Sequence, residues 1–398
     1  METGRKKNHF EIVAKTHYGL ESLLAYELTE LGAGNVKILN RAVSYTGDVT
    51  LLYRSNFCLR TALRILKPVL SVRVSDENEL YKAIRSISWY EWLDKKGTLA
   101  VDANVKSRFF THSHYVAQKV KDAIVDQFRD RYGVRPSVNI ENPDLRINVH
   151  ISEKILTVSL DSSGESLHKR GYRAGTGKAN LSEVLASGMI LLTGWNGDTP
   201  FVDLMCGSGT LPVEAAMIAH KIPAGYYRHK FGFQLWPDYR PELFNKIRKE
   251  NMPVYNHEVL SYGFDYAAEA IRIARKNAAG AGLEDYVKFT VCDIGKVKKP
   301  FDKGLIVINP PYGERLQQDD LNILYKKTGD TLKNNFSGFD AWILSSNQSA
   351  LKHIGLHSDK RLTLYNGQLE CKYNHYSLYP GSRKAGTRNQ DPGNKNQD

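Results

Sequence analysis

From about residue 180 short, almost wholly apolar runs alternate with amphipathic helices, with no internal sequence repeat. The runs are FVDLM, VLSYGFD, YVKFTVCD, GLIVINPP and AWILSS, with NLSEVLASGMILLT (about 180–193), LPVEAAMIAH and AAEAIRIARKNAAGAG among the helices. A strand that is apolar on both faces needs cover on both faces, and helical crossovers between parallel strands provide it. The pattern therefore predicts an α/β fold with a doubly wound, mostly parallel sheet.

The preceding residues read differently. FEIVAK is a strand, 18–32 (GLESLLAYELTELGA) a helix, and VKILNRAVSYTG and DVTLLYRSNF two further strands. Leu20, Leu23, Leu24, Leu28 and Leu31 fall on one helical stripe. A second cycle starts at Ala62: strand RILKPVLSVRVS, helix DENELYKAIRSISWYEWL capped by Ser75 or Asp76, strand GTLAVDANVKS and helix HSHYVAQKVKDAIVDQFRDRYG. Two alternating strands in INVHISEKILTVSLDSSG, joined at Ser152-Glu153-Lys154, close it. With no glycine-rich nucleotide loop, this half predicts an α+β module ending near 165. The tail from Gly381, with no large apolar side chain, is expected to be disordered.

A length of 398 residues suits two or three domains, and 41% hydrophobic with 25% charged residues is ordinary for globular chains. No apolar run of membrane-spanning length occurs. METGRKKNHF leads into EIVAKTHYGL and not into an apolar stretch with a cleavage site, so no signal peptide is expected and the cytoplasm is the default compartment. Cys58, Cys206, Cys292 and Cys371 are far apart, against both a disulfide framework and a metal site. The net charge of +12 favours a polyanionic partner.

Chemistry concentrates in two loops. In Phe201-Val202-Asp203-Leu204-Met205-Cys206-Gly207-Ser208-Gly209-Thr210, the two glycines let the backbone turn and approach a ligand ahead of a helix whose N–H groups are free. Asp265 ends the second apolar strand, where a carboxylate can accept hydrogen bonds from ribose hydroxyls; Asp293 ends the third and can sit beside an adenine amine. Singly each acid is equally a helix cap; together they describe a nucleoside pocket. The loop is D-x-x-x-G-x-G and the second acid lies far along the chain, unlike a dinucleotide fingerprint. S-adenosylmethionine carries no phosphate and a cationic sulfur, so Asp203 suits it.

The second loop, Ile308-Asn309-Pro310-Pro311-Tyr312-Gly313, follows the strand GLIVIN. Two prolines stiffen it. An exocyclic base amine is a poor nucleophile because its lone pair is delocalised into the ring. The Asn309 side-chain carbonyl and the Pro310 backbone carbonyl, each accepting one N–H, would push that nitrogen towards tetrahedral geometry. Tyr312 is expected to stack on the base, which a paired stem would have to flip out.

With DLMCGSGT and NPPYGER together, the chain resembles the THUMP-domain family of class I S-adenosylmethionine-dependent RNA guanine-N2 methyltransferases, in particular the amino-terminal half of the bifunctional 23S rRNA enzymes. LHKRGYR from Leu167, FGFQLW from Phe231 and YNGQLEC from Tyr365 also match. The resemblance implies a ferredoxin-like segment (1–60), a THUMP RNA-binding domain (61–165), a Rossmann-like methyltransferase domain (166–380) and the tail (381–398). It places cofactor binding on Asp203, Cys206, Gly207, Gly209, Asp265 and Asp293, and catalysis on Asn309, Pro310, Pro311 and Tyr312. No metal is implied. The second methyltransferase half of the bifunctional proteins is missing, and AGTGKANLSE after GYR departs from the family's usual apolar segment.

The implied partner is RNA, with 23S rRNA as the leading substrate, tRNA as the alternative substrate and a non-catalytic RNA-binding assembly factor as the alternative role. A DNA adenine-N6 methyltransferase shares the Asn-Pro-Pro-Tyr logic, but the N-terminal module speaks for RNA. Three basic stretches are candidate RNA tracks: 167–178, with Lys169, Arg170, Arg173 and Lys178 and no acid, and 104–135 and 220–252, each with seven basic residues against three acidic ones. Tyr115, Tyr132, Tyr226 and Tyr227 interleave with them.

Overall fold

The computed structural model describes residues 9–174, 181–255, 260–299, 301–312 and 317–379. The expected tail, Lys178 and Gly313 lie outside them. The first half forms β1 (Phe10–Lys15), α1 (Glu21–Glu30), β2 (Gly34–Leu39), β3 (Ala42–Gly47), α2 (Val49–Cys58), β4 (Arg64–Arg73), α3 (Glu77–Arg85), β5 (Thr98–Lys106), α4 (Ser113–Tyr132), β6 (Ser137–Val138), β7 (Leu145–Ser152) and β8 (Ile155–Asp161). The second half forms α5 (Glu183–Leu192), β9 (Phe201–Asp203), α6 (Thr210–Ala219), α7 (Pro241–Glu250), β10 (Ser261–Asp265), α8 (Ala268–Gly280), β11 (Val287–Val291), β12 (Gly304–Ile308), α9 (Gln318–Asn335), β13 (Phe339–Ser345), α10 (Gln348–Lys352), β14 (Lys360–Asn366) and β15 (Leu369–Ser377).

One mixed sheet, ordered β2-β3-β1-β4-β8-β7-β5-β6, runs through both N-terminal cycles. The long β4 joins them, pairing with β1 through Arg64–Leu66 and with β8 from Leu66 to Arg73.

Two expectations fail here, each for a local reason. DVTLLYRSNF is not a strand but α2. The extended Asp48 caps it by accepting the Leu51 N–H at 3.0 Å, and Leu51, Leu52, Ser55 and Asn56 share one buried face at helical spacing. VKILNRAVSYTG is not one strand but the β2-β3 hairpin, with Leu39 opposite Ala42 and Arg41 in the left-handed region at φ 53°.

The second sheet is ordered β11-β10-β9-β12-β13-β15-β14. The first five strands run parallel, and β15 pairs antiparallel with both β13 and β14. The chain order reverses at β9, which lies between β10 and β12, and such a switch point opens a crevice at the carboxyl ends of the strands. The β14-β15 hairpin, to which the sequence reading assigned no strands, turns at Gly367–Gln368 within YNGQLEC, with Asn366 opposite Leu369.

The insert between α6 and β10 crosses from the second half to pack on the first. Its Phe231, Phe233, Trp236, Phe244 and Ile247 belong to the same apolar cluster as Tyr53 and Phe57 of α2. The Tyr53 and Phe233 rings stack at 4.2 Å, and Phe244 meets Phe57 edge-on at 5.8 Å. Backbone ties reinforce this: the Gly225 N–H donates to Phe57 O at 2.8 Å and the Phe233 N–H to Ser162 O at 2.9 Å. Arg60 donates from its guanidinium to the carbonyls of Met217 and Ile222. The two halves are thus bonded together beside the crevice.

Candidate active site

At the switch point, β9 ends on Asp203, β10 on Asp265 and β12 just before Asn309, so parallel strands deliver all three side chains to one edge of the sheet. They line a cavity of about 570 Å³ with Cys206, Gly207, Asp293 and Pro311. Of the residues singled out in the sequence, Gly209, Pro310 and Tyr312 are not on its wall.

The glycine loop is held open by hydrogen bonds. The Gly207 N–H donates to Asp265 Oδ2 at 2.9 Å, and the Ala267 N–H to Oδ1 of the same carboxylate at 2.9 Å. Asp265 therefore braces the loop and the start of α8, while its remaining lone pairs stay available to a ligand. Asn277 donates to Ser208 O at 3.0 Å. Arg173 spans the loop's far side, reaching Thr210 Oγ1 and Leu181 O at 3.0 Å each and pairing with Glu183. Gly209 caps α6 at φ 81°, packed against Phe289 and Ala274 behind the cavity.

Asp203 is 2% exposed and accepts the Met205 N–H at 3.0 Å. Burial, then the charge of Asp265, push its carboxyl well above the usual carboxylate range. Burial likewise raises the Cys206 thiol, keeping it protonated. Asp293 lies two residues past β11. It accepts the Gly295 N–H and pairs with Lys327 at 2.6 Å, and the Lys327 bond holds its carboxyl below the ordinary value. Lys327 lines the cavity too, as does Tyr266, whose ring is 81% exposed. Sequence reasoning missed both: Tyr266 was signalled only by following Asp265, and Lys327 lies on the distant α9.

In the Asn-Pro-Pro-Tyr loop, Asn309 Oδ1 is buried and has no hydrogen-bond partner among the described residues. Such an orphaned acceptor in a polar cavity is poised for an N–H donor. Tyr312 departs from its expected stacking position. Its ring is 9% exposed and packs in the cluster that includes Leu364, Cys371 and Tyr373, and its hydroxyl accepts a hydrogen bond from Asn366 Nδ2 at 2.7 Å. Burial raises that hydroxyl's pKa. Tyr325 adds a bond to Pro311 O at 3.4 Å, so the loop is held from behind.

The 167–178 track also changes character. Arg170 is 1% exposed and donates to Leu167 O and Arg60 O, while Arg173 is committed to Glu183. Tyr226 and Tyr227 are partly buried. Arg170 and Arg173 are thus engaged by the protein itself and are not presented to solvent as an RNA track would be.

Comparison with known proteins places this geometry. Three family models match in series: an RlmL ferredoxin-like domain over residues 11–66, a THUMP domain over 74–161 and an RMKL-like methyltransferase domain over 170–375. The chain is 38% identical to a Synechocystis protein described as a candidate RNA methyltransferase, covering 93% of this chain and 97% of that one. It is 39% identical to the ribosomal RNA large subunit methyltransferase K/L of Syntrophotalea carbinolica, over 90% of this chain but 52% of that protein. It thus spans about half the length of the K/L relatives it matches. A crystal structure of a protein described as a candidate methyltransferase, complexed with SAH, superposes with a TM-score of 0.83 at 30% identity, covering 95% of this chain and all of that one. A ferredoxin-like segment and a THUMP domain joined to a switch-point crevice of this construction make the chain a member of the RMKL-like methyltransferase family.

Proposed function

We propose that the chain is an S-adenosylmethionine-dependent RNA methyltransferase acting on the exocyclic N2 of a guanine in 23S rRNA. The observation that carries this reading is Asn309 Oδ1, without a partner among the described residues and buried at the rim of a cavity whose polar walls include Asp203, Asp265 and Asp293.

S-adenosylmethionine, when bound, supplies an electrophilic methyl on a cationic sulfur. The cavity fits it: Asp265 has lone pairs left for two ribose hydroxyls, Tyr266 offers an exposed ring for adenine, and Asp293 with Lys327 forms a polar edge for the adenine amine. Gly207, without a Cβ, leaves the loop backbone accessible. On the acceptor side, Asn309 Oδ1 and the Pro310 carbonyl each take one N–H of the amine, aiming its lone pair at the methyl. The prolines and the Asn366–Tyr312 bond fix those two oxygens in advance, so positioning lowers the barrier. The proton lost after transfer leaves along the Asn309 or Pro310 hydrogen bond to water. The THUMP match and the K/L relatives support RNA, and large-subunit rRNA in particular, as the substrate.

The test is transfer of labelled methyl to total RNA from a strain lacking the gene, followed by nucleoside mass spectrometry. Label in N2-methylguanosine of 23S rRNA is expected. Label in tRNA alone, in DNA alone or in N6-methyladenine would overturn the reading. Asn309→Ala should abolish transfer while S-adenosylmethionine affinity stays within about twofold; equal loss of both would make the loop structural.

A further inference from the structure

A second cavity, of about 790 Å³, lies between the halves and shares Leu181 with the first. Its walls come from seven separate stretches, among them the loop after β1 at His17, the segment 163–171, the insert from Arg228 and the β14-β15 hairpin at Asn366 and Gly367. Asn366 is the residue bonded to Tyr312, so this cleft ends directly behind the Asn-Pro-Pro-Tyr loop.

Its chemistry is that of a receptor for a polar anion. Five Lys or Arg side chains line it against three Glu; Arg170, Arg173 and Arg228 are committed to backbone carbonyls and to Glu183, which leaves Lys230 and the exposed Lys169, in a surface pair with Glu165 at 2.7 Å, to meet a ligand. His229 and Lys230 are exposed on the rim, and among the described residues Lys230 has no carboxylate within ion-pair range. Two wall atoms, His17 Nε2 and Ser182 Oγ, are buried and have no hydrogen-bond partner among the described residues. The wall itself is built to hold shape: Arg228 is 9% exposed and donates to the carbonyls of Ser163, Glu165, Ser166 and Lys169. The volume is within the range of preformed ligand sites. Positive grooves of this kind track a single-stranded backbone.

We propose that this cleft is the strand site for single-stranded RNA: it takes the nucleotides adjoining the target base, with phosphates held by Lys169, His229 and Lys230 and a base or ribose edge bonded to His17 and Ser182. The assignment rests on the methyltransferase reading above for what happens next door, but binding in the cleft needs no methyl transfer. The strand entering here delivers its neighbour to Asn309 through the side walled by Leu181.

The test uses transcribed 23S rRNA substituted with 4-thiouridine, ultraviolet cross-linking to the full chain and peptide mass spectrometry. Cross-links to peptides spanning 163–171 and 228–235 are expected; cross-links confined to 74–161 would overturn the proposal. The variant Lys169→Ser/His229→Ser/Lys230→Ser changes exposed side chains only. Filter binding should show it roughly tenfold weaker for the same RNA, with a salt slope reduced by about 1.4 for two lost lysine contacts to single-strand phosphates. S-adenosylmethionine affinity, measured by calorimetry, should not change. Lys246→Ser/Lys249→Ser, which removes charge from a separate hollow on α7, should bind RNA as wild type. Equal weakening in both variants would mean diffuse charge and no cleft site. Cleft binding without N2-methylguanosine would instead sink the proposed function and leave this site standing.

Discussion

The two glycines of the β9-α6 loop should fail in opposite ways when given a side chain. Both have positive φ, 52° at Gly207 and 81° at Gly209, so alanine pays the left-handed penalty of about 1–2 kcal/mol at either position. The surroundings differ. A Cβ on Gly209 would lie 2.8 Å from Phe289 Cζ and 2.9 Å from the Ala274 methyl, both in the core, whereas one on Gly207 meets nothing within 4 Å. Overpacking of that kind costs about 1–3 kcal/mol. The φ penalty cancels between the two variants, and at ~2–4 °C per kcal/mol for a domain of this size Gly209→Ala should melt roughly 2–12 °C below Gly207→Ala. Affinity should run the other way, because Gly207 lines the cavity and Gly209 does not. Scanning fluorimetry of the apo proteins and calorimetric titration with S-adenosylmethionine read the two orders separately. Gly207→Ala melting at or below Gly209→Ala would refute the packing argument. Undiminished affinity in Gly207→Ala would refute the placement of the cofactor against this loop.

Asp203 gives a pH signature. Its folded pKa is raised, so it adds stability below the unfolded value of about 3.9 and loses it as pH climbs through the folded pKa. Asp203→Asn keeps an acceptor for the Met205 N–H and cannot ionise, so it should melt higher than wild type at about pH 8 and match it near pH 4; a gap independent of pH would contradict the burial argument. Asn366→Ala removes the bond to the Tyr312 hydroxyl, worth about 0.5–1.5 kcal/mol, and should lower kcat by up to about tenfold with cofactor affinity unchanged; unchanged kcat would show that the hairpin does not position the loop. Asp48→Ala removes the cap of α2 and should cost about 1 kcal/mol in a denaturant melt; no loss would mean that packing alone holds DVTLLYRSNF helical.

What was legible in the sequence was whatever a local pattern dictates. Apolar runs that end in Asp203, Asp265 and Asn309 announce strand ends, and parallel strands necessarily bring such ends to one edge, so the members of the site could be named before their distances were known. Partners contributed by distant segments left no local trace. DVTLLYRSNF looks like a strand because Val49 and Thr50 are β-branched; the Asp48 cap and the buried pairing of Asn56 with Ser162 and Ser163 decide otherwise, and those serines lie more than a hundred residues away. Tyr312 looked like a stacking platform because nothing in NPPYGER reveals that Asn366 waits behind it.

Charge was the most misleading signal, and the reason is physical. A basic residue contributes one unit to the sequence total whether it faces water or a carbonyl, yet only the former can meet a phosphate. Arg60, Arg170 and Arg228 spend their donors on backbone oxygens that tie the insert and the 163–171 segment to both halves. Arg173 is spent on Glu183, Thr210 and Leu181. Among the residues that line the cleft, these commitments leave Lys169, His229 and Lys230 exposed at its mouth. The buried arginines are therefore not wasted as RNA contacts: by fixing the wall they hold three rim groups at set positions, which converts a diffuse positive charge into a site that can select where a strand enters.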